Sequence, residues 1–469
     1  MSRDFVSEDY FVNCLRKFYK HITKKTIVPF DKEQLPSKKE DLFKSLRKDI
    51  LNQTYQPSLP REYIIFPKSN SVARFVPTFT LRDYCVYFFC INQLQDGLCN
   101  PKNRVKGTFG GWRISNNSIK LSEDEEKQAL YDEIDDYIHY ISISSMSVQE
   151  WLKNYKEFSK LSYATLKNYS QLNPDGIIVC FDIANFYDNI KLDILEKKIR
   201  SDKNMGSNAS ATIDLLMYFL KYWNKPFEGY APKSVGIPQE ETSDCSRILA
   251  NFYLNSYDKN IKEICDNNNC QYIRYADDMT IFAPSLELAE KMLFEASKEL
   301  HKLGLNINSG KVHFFNYHEY SVYQCFDILE LLNMENSFAL NKAIEILLDR
   351  LNNKNKIHYG KCLRRLLTVI TKLGVNSIKN PYKEDIIKWM FDKKNIVECD
   401  CFYLKKLHII ASQLNKEKEF FEYLHSFIFS TNFNSYHYQL LHFYKEINHD
   451  FDNKTLQQEI DKRKIIHLE

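Results

Sequence analysis

Three aspartates stand where apolar runs stop. Asp182 closes the run Ile177–Phe181 (IIVCF), and Asp277 with Asp278 lies between QYIRY and MTIFA. The first run is apolar throughout, as a strand buried on both faces is. The second pair of segments reads as two strands around a tight acidic turn. Carboxylates brought by separate strands to one sheet edge can hold Mg²⁺, with Mn²⁺ as a substitute. Mg²⁺ is a hard ion that takes oxygen ligands and keeps places for water and substrate phosphates. Two such ions about 4 Å apart activate an attacking hydroxyl and stabilise a leaving pyrophosphate in phosphoryl transfer. Taken singly, each group has a structural alternative: Asp277–Asp278 as ordinary turn residues, Asp182 as a helix cap.

Other segments must position these groups. The first ~55 residues read as Lys-rich helices with Phe11, Leu15 and Phe18 at helical spacing. Strand-like stretches follow around Tyr63–Phe66 and Val72–Val76, with a turn between them. The pattern turns helical from Arg82 to Leu94. A glycine-bearing loop, GTFGGWR (107–113), precedes expected helices near 123–141 and 148–161. Helices are expected at 190–200, 210–222 and 286–303, followed by the extended stretch GLNINSGKVHFF. Beyond about residue 335 helical apolar spacing dominates, from Leu340, Ile344 and Leu347 to Tyr438–Tyr444.

Composition narrows the class. The chain has 469 residues, 44% hydrophobic and 14% aromatic, enough to bury sizeable cores, so wholesale disorder is excluded. Residues 1–120 carry 21 Lys and Arg against 11 acids, whereas residues 121–180 carry 5 against 11. A basic segment beside an acidic one suits polyanion binding next to a metal-binding carboxylate site, although uneven surface charge alone also gives this pattern. The 12 cysteines form no C-x-x-C and no zinc-finger spacing, and the start MSRDFVSEDYF lacks the apolar core of a signal peptide. The longest apolar run, Tyr84–Ile91, is far below the ~20 residues of a membrane span. A cytoplasmic protein with reduced thiols and no membrane attachment is expected.

In order, these segments resemble the motifs of reverse transcriptases across roughly residues 60–325. FDIANFYDNI (181–190) is similar to the first catalytic-aspartate motif, SVGIPQEETSDCSRILANFYL (234–254) to the Gly-Pro-Gln motif, and YADD (275–278) to the second catalytic motif. GLNINSGK (304–311) resembles the motif that ends in a lysine, and FPKSNSVARFVP (66–77) the fingers hairpin with its Lys and Arg. The resemblance implies that Asp182, Asp277 and Asp278 are catalytic. Both metal ions would be ligated by Asp182 and Asp277, with Asp278 beside them and the carbonyl of Ile183 as a further ligand. It makes Tyr187 an aromatic gate against the 2′-hydroxyl, where the bland alternative is a core ring beside Phe186. It places Lys68 and Arg74 on the incoming triphosphate, Gln239 in the nucleotide pocket, and Lys311 beside the departing pyrophosphate. The bland alternative for the three cations is a solvated surface side chain. One departure is Gln239-Glu240, where templated enzymes have Gln-Gly; Ser246-Arg247 likewise replaces Ser-Pro.

The implied fold is α+β: a right-hand-like fingers and palm lobe over 1–330, with N-terminal helices 1–55, followed by an all-α, HEAT-like helical-repeat domain over 331–469. With the helical tail, the resemblance extends to bacterial abortive-infection (AbiK-like) reverse transcriptases. That implies protein-primed, template-independent synthesis from deoxynucleoside triphosphates, with the DNA covalently attached to a tyrosine of a homo-oligomeric enzyme. Tyr10, Tyr19 and Tyr55 are the N-terminal tyrosines considered as primers. Two other readings stay open: a conventional RNA-templated, retron-like enzyme, and an interaction scaffold with an inert polymerase lobe.

Overall fold

The computed structural model describes residues 6–25, 27–28, 39–68, 72–110, 148–206, 209–224, 231–239, 245–353, 357, 359–449 and 453–464. The expected helix near 123–141, part of the GTFGGWR loop, and Glu240 lie outside the described residues.

Helices α1 (Glu8–Lys25) and α2 (Lys39–Leu51) lead into the hairpin β1 (Glu62–Pro67) and β2 (Ala73–Thr78), then helix α3 (Leu81–Leu98) and the short strand β3 (Thr108–Phe109). The stripe Phe11, Leu15 and Phe18 is buried, as its spacing requires. Thr80 caps α3, its hydroxyl accepting from the Asp83 N–H at 3.2 Å. Tyr84–Ile91, apolar all round, is buried throughout. A helix without a polar face belongs in a core, and α3 packs on α1 and on two later helices.

The catalytic-motif segments fold next: α4 (Val148–Leu172), β4 (Ile177–Asp182), a single turn α5 (Phe186–Asn189), α6 (Leu192–Ser201), α7 (Ser210–Tyr222) and α8 (Cys245–Asn267). Strands β5 (Gln271–Tyr275) and β6 (Asp278–Ala283), helix α9 (Leu286–Lys302) and strand β7 (His313–Phe315) complete them. Five strands form one sheet in the order β3-β5-β6-β4-β7, with β4 antiparallel to both neighbours. Alternation along β4 sends Val179 and Phe181 into the main core with α3, α7, α8 and α9. Ile178 points the other way, into a smaller cluster with Phe109, Leu166, Ile273 and Phe282. Burial on both faces is why IIVCF carries no polar alternation.

The remaining helices are α10 (Tyr317–Gln324), α11 (Phe326–Asn333), α12 (Ser337–Asn352), α13 (Tyr359–Leu373), α14 (Asn380–Met390), α15 (Lys393–Val397), α16 (Cys401–Gln413), α17 (Glu417–Ile428), α18 (Asn434–Glu446) and α19 (Asn453–Lys462). Among the described residues the tail is all-helical. Its apolar cluster runs from Cys325 to Ile460 and also takes in Ile27, Val28, Ile64 and Val76. The hairpin β1–β2 is therefore packed against the tail, and helix α11 runs through residue 330 without a break. No described helix is long and apolar enough to cross a membrane.

One buried ion pair sets the turn between β5 and β6. Arg274, 1% exposed, lies on β5 with its guanidinium forked onto Asp258 of α8: Nε donates to Oδ1 at 2.8 Å and Nη2 to Oδ2 at 2.5 Å. Tyr272 adds an O–H to Asp258 Oδ1 at 2.9 Å, and Asn251 accepts from Nη2 at 2.9 Å. Arg274 Nη1 donates to the Ala276 carbonyl at 2.6 Å, inside the turn itself. Ala276 holds a left-handed φ of 53°, a strained conformation for a residue with a Cβ. Its N–H donates to the Phe109 carbonyl at 3.1 Å. Gly110 (φ 98°) lies so close that a Cβ there would meet the Ala276 nitrogen at 3.1 Å. Removing one member of such a pair strands a buried charge. Arg274→Ala is expected to cost about 3–5 kcal/mol in urea unfolding, and Arg274→Met with Asp258→Leu to recover most of it. Equal losses in the single and double variants would contradict this.

Candidate active site

The site sits at the end of the central strand. Asp182 is the last residue of β4 and pairs across the sheet with Asp278, the first residue of β6. The Asp182 carbonyl accepts from the Asn308 N–H at 2.8 Å, and the Ala184 N–H donates to the Asn306 carbonyl at 2.9 Å, both on the β7 side. Asp182 and Asp278 therefore form a pair without mutual backbone bonds, the kind in which side chains stand closest. By the same alternation the Ile183 carbonyl faces the β6 side, toward the Asp277 corner. Two carboxylates stand side by side on one face, and a third rides on the adjoining turn.

Their surroundings differ. Asp182 is 5% exposed, Asp277 is half-buried and Asp278 is exposed. Asp182 Oδ2 accepts a charge-assisted bond from Lys311 Nζ. Asp182 Oδ1 is buried and has no hydrogen-bond partner among the described residues. A buried carboxylate oxygen without a partner is costly, and a cation is the partner that chemistry would supply. The Asp277 carboxyl is pushed above its ordinary range, first by burial and then by the charge of Asp182, against the pull of its own N–H, Lys311 and Arg74. Lys311 is held above its ordinary range: burial pulls it down, but the bond to Asp182 and the charges of Asp182, Asp278 and Asp277 outweigh that.

The hairpin faces this corner. Lys68, at the end of β1, is shifted down by partial burial and by the charges of Arg74 and Lys311, while Asp182 and Asp188 act in the opposite sense. Arg74 on β2 is exposed and within electrostatic reach of Asp277. The Lys68 N–H donates to the Val72 carbonyl at 2.7 Å, closing the hairpin. The sequence-expected cations thus converge on the expected carboxylates.

The segments carrying Tyr187 and Gln239 run side by side. Residues 234–237 run beside 187–192: the Leu192 N–H donates to the Ser234 carbonyl at 3.0 Å, the Gly236 N–H to Ile190 at 2.8 Å, and the Ile237 N–H to Tyr187 at 2.9 Å. Gly236 has φ 93° and sits 3.3 Å, measured from an ideal Cβ, from the Asp188 carbonyl, which accounts for the glycine of the motif. Tyr187 is half-buried, its ring 5.6 Å from that of Phe186. Gln239 is half-buried two residues beyond the Tyr187 contact. Asp182 does not cap a helix; α5 is preceded by Asn185 in a left-handed conformation, φ 45°. Ser246 is buried, its hydroxyl 2.8 Å from that of Tyr87.

The donor set fits a hard divalent ion that is completed by substrate. It offers carboxylate oxygens, an aimed backbone carbonyl and one unpartnered buried Oδ1, all oxygen. Among the described residues no three His, Cys, Asp or Glu side chains are gathered tightly enough to hold an ion by themselves. Lys311 neutralises one of the mutually repelling carboxylates.

Residues 126–359 match the family model described as reverse transcriptase (RNA-dependent DNA polymerase). Over this stretch the chain is similar to a reverse transcriptase domain. Both aspartate strands, the lysine of 304–311 and the first helices of the tail lie inside that stretch; the hairpin with Lys68 and Arg74 precedes it. The retron Ec83 reverse transcriptase of Escherichia coli is 33% identical over 101 residues, 21% of this chain and 30% of that protein. The match thus spans less than a third of the curated relative. Among solved structures, apo telomerase from Candida tropicalis is 11% identical and aligns over 91% of this chain and 72% of its own, with a TM-score of 0.34. Telomerase from Candida albicans with a fragment of telomeric RNA is 13% identical over 90% and 66%, with a TM-score of 0.32. Those scores are too low to establish a shared fold.

The raised Asp277 carboxyl gives this lobe a pH signature. A carboxyl whose folded value exceeds its unfolded one binds more protons when native, so stability falls as pH rises from the unfolded value through the folded one. Asp277→Asn removes that penalty. Its melting temperature without metal is expected to exceed wild type at pH 7, the gain vanishing below about pH 4. A variant less stable than wild type at pH 7 would refute the repulsion.

Proposed function

We propose that this chain transfers deoxynucleotidyl units, as a DNA polymerase of the reverse transcriptase type. The observation that carries the reading is the buried, unpartnered Asp182 Oδ1 at a corner shared with Asp277 and Asp278 and faced by Lys68, Arg74 and Lys311. Asp182, Asp277, Asp278 and the Ile183 carbonyl would hold two Mg²⁺, or Mn²⁺ in their place. Bound there, the ions supply charge neutralisation for the attacking and leaving oxygens.

The chain's own groups do the rest. Arg74 offers a planar fork and Lys68 a point charge to the triphosphate. Lys311 leaves Asp182 when substrate arrives and carries its proton, held by the surrounding carboxylates, to the pyrophosphate oxygen that receives charge. Gln239 and Tyr187 flank the sugar and base, and the Tyr187 ring stands where a 2′-hydroxyl would need room. The carboxylate corner also weighs against an inert scaffold, because clustered carboxylates destabilise a lobe that does not use them.

Priming is a finer matter. We infer the abortive-infection type of reaction, with a tyrosine hydroxyl as primer and no template, on a HEAT-like tail (331–469) in a small homo-oligomer. Tyr55 is a poor primer, being 5% exposed with its O–H donated to Asp83 at 2.7 Å, and Tyr19 packs edge-on against Phe43. Tyr10, 51% exposed on α1, stays open to a substrate. The similarity to a retron reverse transcriptase favours a second reading, RNA-templated synthesis.

One assay separates these. Purified protein is incubated with Mg²⁺ and labelled deoxynucleotides without template or primer, beside Asp277→Asn, and run on a denaturing gel with and without protease. Label that migrates with wild type, is freed by protease and is absent from the variant supports self-priming. Label appearing only with an RNA template supports the retron-like reading. No incorporation under any metal, template or primer condition would sink the polymerase altogether. Where synthesis is seen, Tyr187→Ala is expected to raise ribonucleotide use relative to deoxynucleotide about tenfold; an unchanged ratio assigns the ring to the core alone.

A further inference from the structure

Among the described residues the hairpin that carries Lys68 and Arg74 has two strands and stands apart from the five-stranded sheet. Two strands alone are marginally stable in water. The outer edge of β1 meets helix α18 of the tail. Asn434, fully buried, accepts the Ile65 N–H on Oδ1 at 2.6 Å and donates from Nδ2 to the Tyr63 carbonyl at 3.0 Å. Bonding the carbonyl before Ile64 and the N–H after it is what a residue of a parallel neighbouring strand does. One side-chain amide stands in for a third strand.

The contact continues up one face of α18. Tyr438, four residues on, donates its O–H to Glu62 Oε2 at 2.7 Å, and both side chains are buried. His442, four further, lies with Nε2 3.0 Å from the Ile27 carbonyl, which can only accept, so Nε2 is the protonated nitrogen. Positions spaced by four share a helix face. Beneath this row Ile64 and Val76 of the hairpin join the apolar cluster of the tail. By cross-strand register Arg74 pairs with Phe66 on the same hairpin face as Ile64 and Val76, nearer the tip.

We propose that Asn434 is a positioning residue for nucleotide binding: through β1 it fixes the hairpin that presents Lys68 and Arg74 to the incoming triphosphate. The tail is thereby part of the nucleotide site, and whatever shifts α18 tunes substrate affinity before it touches the chemical step. The proposal rests on the reading of Lys68 and Arg74 as triphosphate contacts.

Its test uses the full chain. Nucleotide KM and kcat are measured for wild type, Arg74→Ala, Asn434→Ala and Asn434→Asp, with hydrogen exchange of peptides covering 62–68 and 177–183. Asn434→Ala is expected to speed exchange in 62–68 but leave 177–183 unchanged. Its KM should rise about tenfold, with kcat held within about twofold. Asn434→Asp keeps the acceptor for Ile65 and should fall between. Unchanged exchange and KM overturn the proposal, and so does a lowered melting point with unchanged KM, the mark of a purely structural role. If Asn434→Ala speeds exchange but Arg74→Ala leaves KM unchanged, the clamp reading has failed instead. Should Asn434→Ala not fold, Tyr438→Phe, which deletes one hydroxyl, carries the same test with the same direction.

Discussion

Like charges at the end of a strand define this molecule. Two aspartates face each other across β4 and β6, and a third precedes Asp278 on the turn. Burial and then the charge of Asp182 push the Asp277 carboxyl above its ordinary range, so the corner works against the stability of the lobe. The lobe therefore needs a frame that holds the corner against its own charge. Arg274 and Asp258 supply it from below, through a buried forked pair that also grips the Ala276 carbonyl. Lys311 supplies neutralisation from the side. The buried pair thus fixes where the turn and its charges sit.

Charge decides the wider layout as well. The carboxylates of this corner and the hairpin cations Lys68 and Arg74 lie within electrostatic reach of each other, so opposite charges face one another. The hairpin cannot draw its rigidity from the sheet, because it shares no strand with it. It draws it from the tail, by the Asn434 amide and by Ile64 and Val76 in the tail's apolar cluster. The polymerase-type lobe and the helical tail are for that reason mechanically one object at this point.

Much of the candidate corner was legible in the residues. Asp182, Asp277, Asp278, Lys68, Arg74, Tyr187, Gln239 and Lys311 lie on short motifs whose local pattern announces strand, turn or loop, and the fold brings the charged ones together. The helices and strands around them follow from period and burial: IIVCF is a strand closed on both faces, and Phe11, Leu15 and Phe18 form a helix stripe. What stayed hidden depends on distance along the chain. Arg274 reads as one more strand residue until Asp258, 16 positions earlier, is seen to cancel it; a lone charge inside an apolar strand was the signal. Nothing local marks Asn434 as a partner of Ile65, 369 residues away. The exposure of the N-terminal tyrosines was equally invisible, because whether Tyr55 faces solvent depends on Asp83 of a different element.

The central claim is that Asp182 is built to receive a divalent cation. Titrating Mn²⁺ into wild type and into Asp182→Asn, with a non-hydrolysable deoxynucleoside triphosphate present, and following free Mn²⁺ by electron paramagnetic resonance, tests it without requiring turnover. Wild type should withdraw Mn²⁺ from solution beyond what the nucleotide alone binds, and the variant should not. Equal withdrawal by both proteins would contradict the account, because the unpartnered Oδ1 would then not be the cation's place.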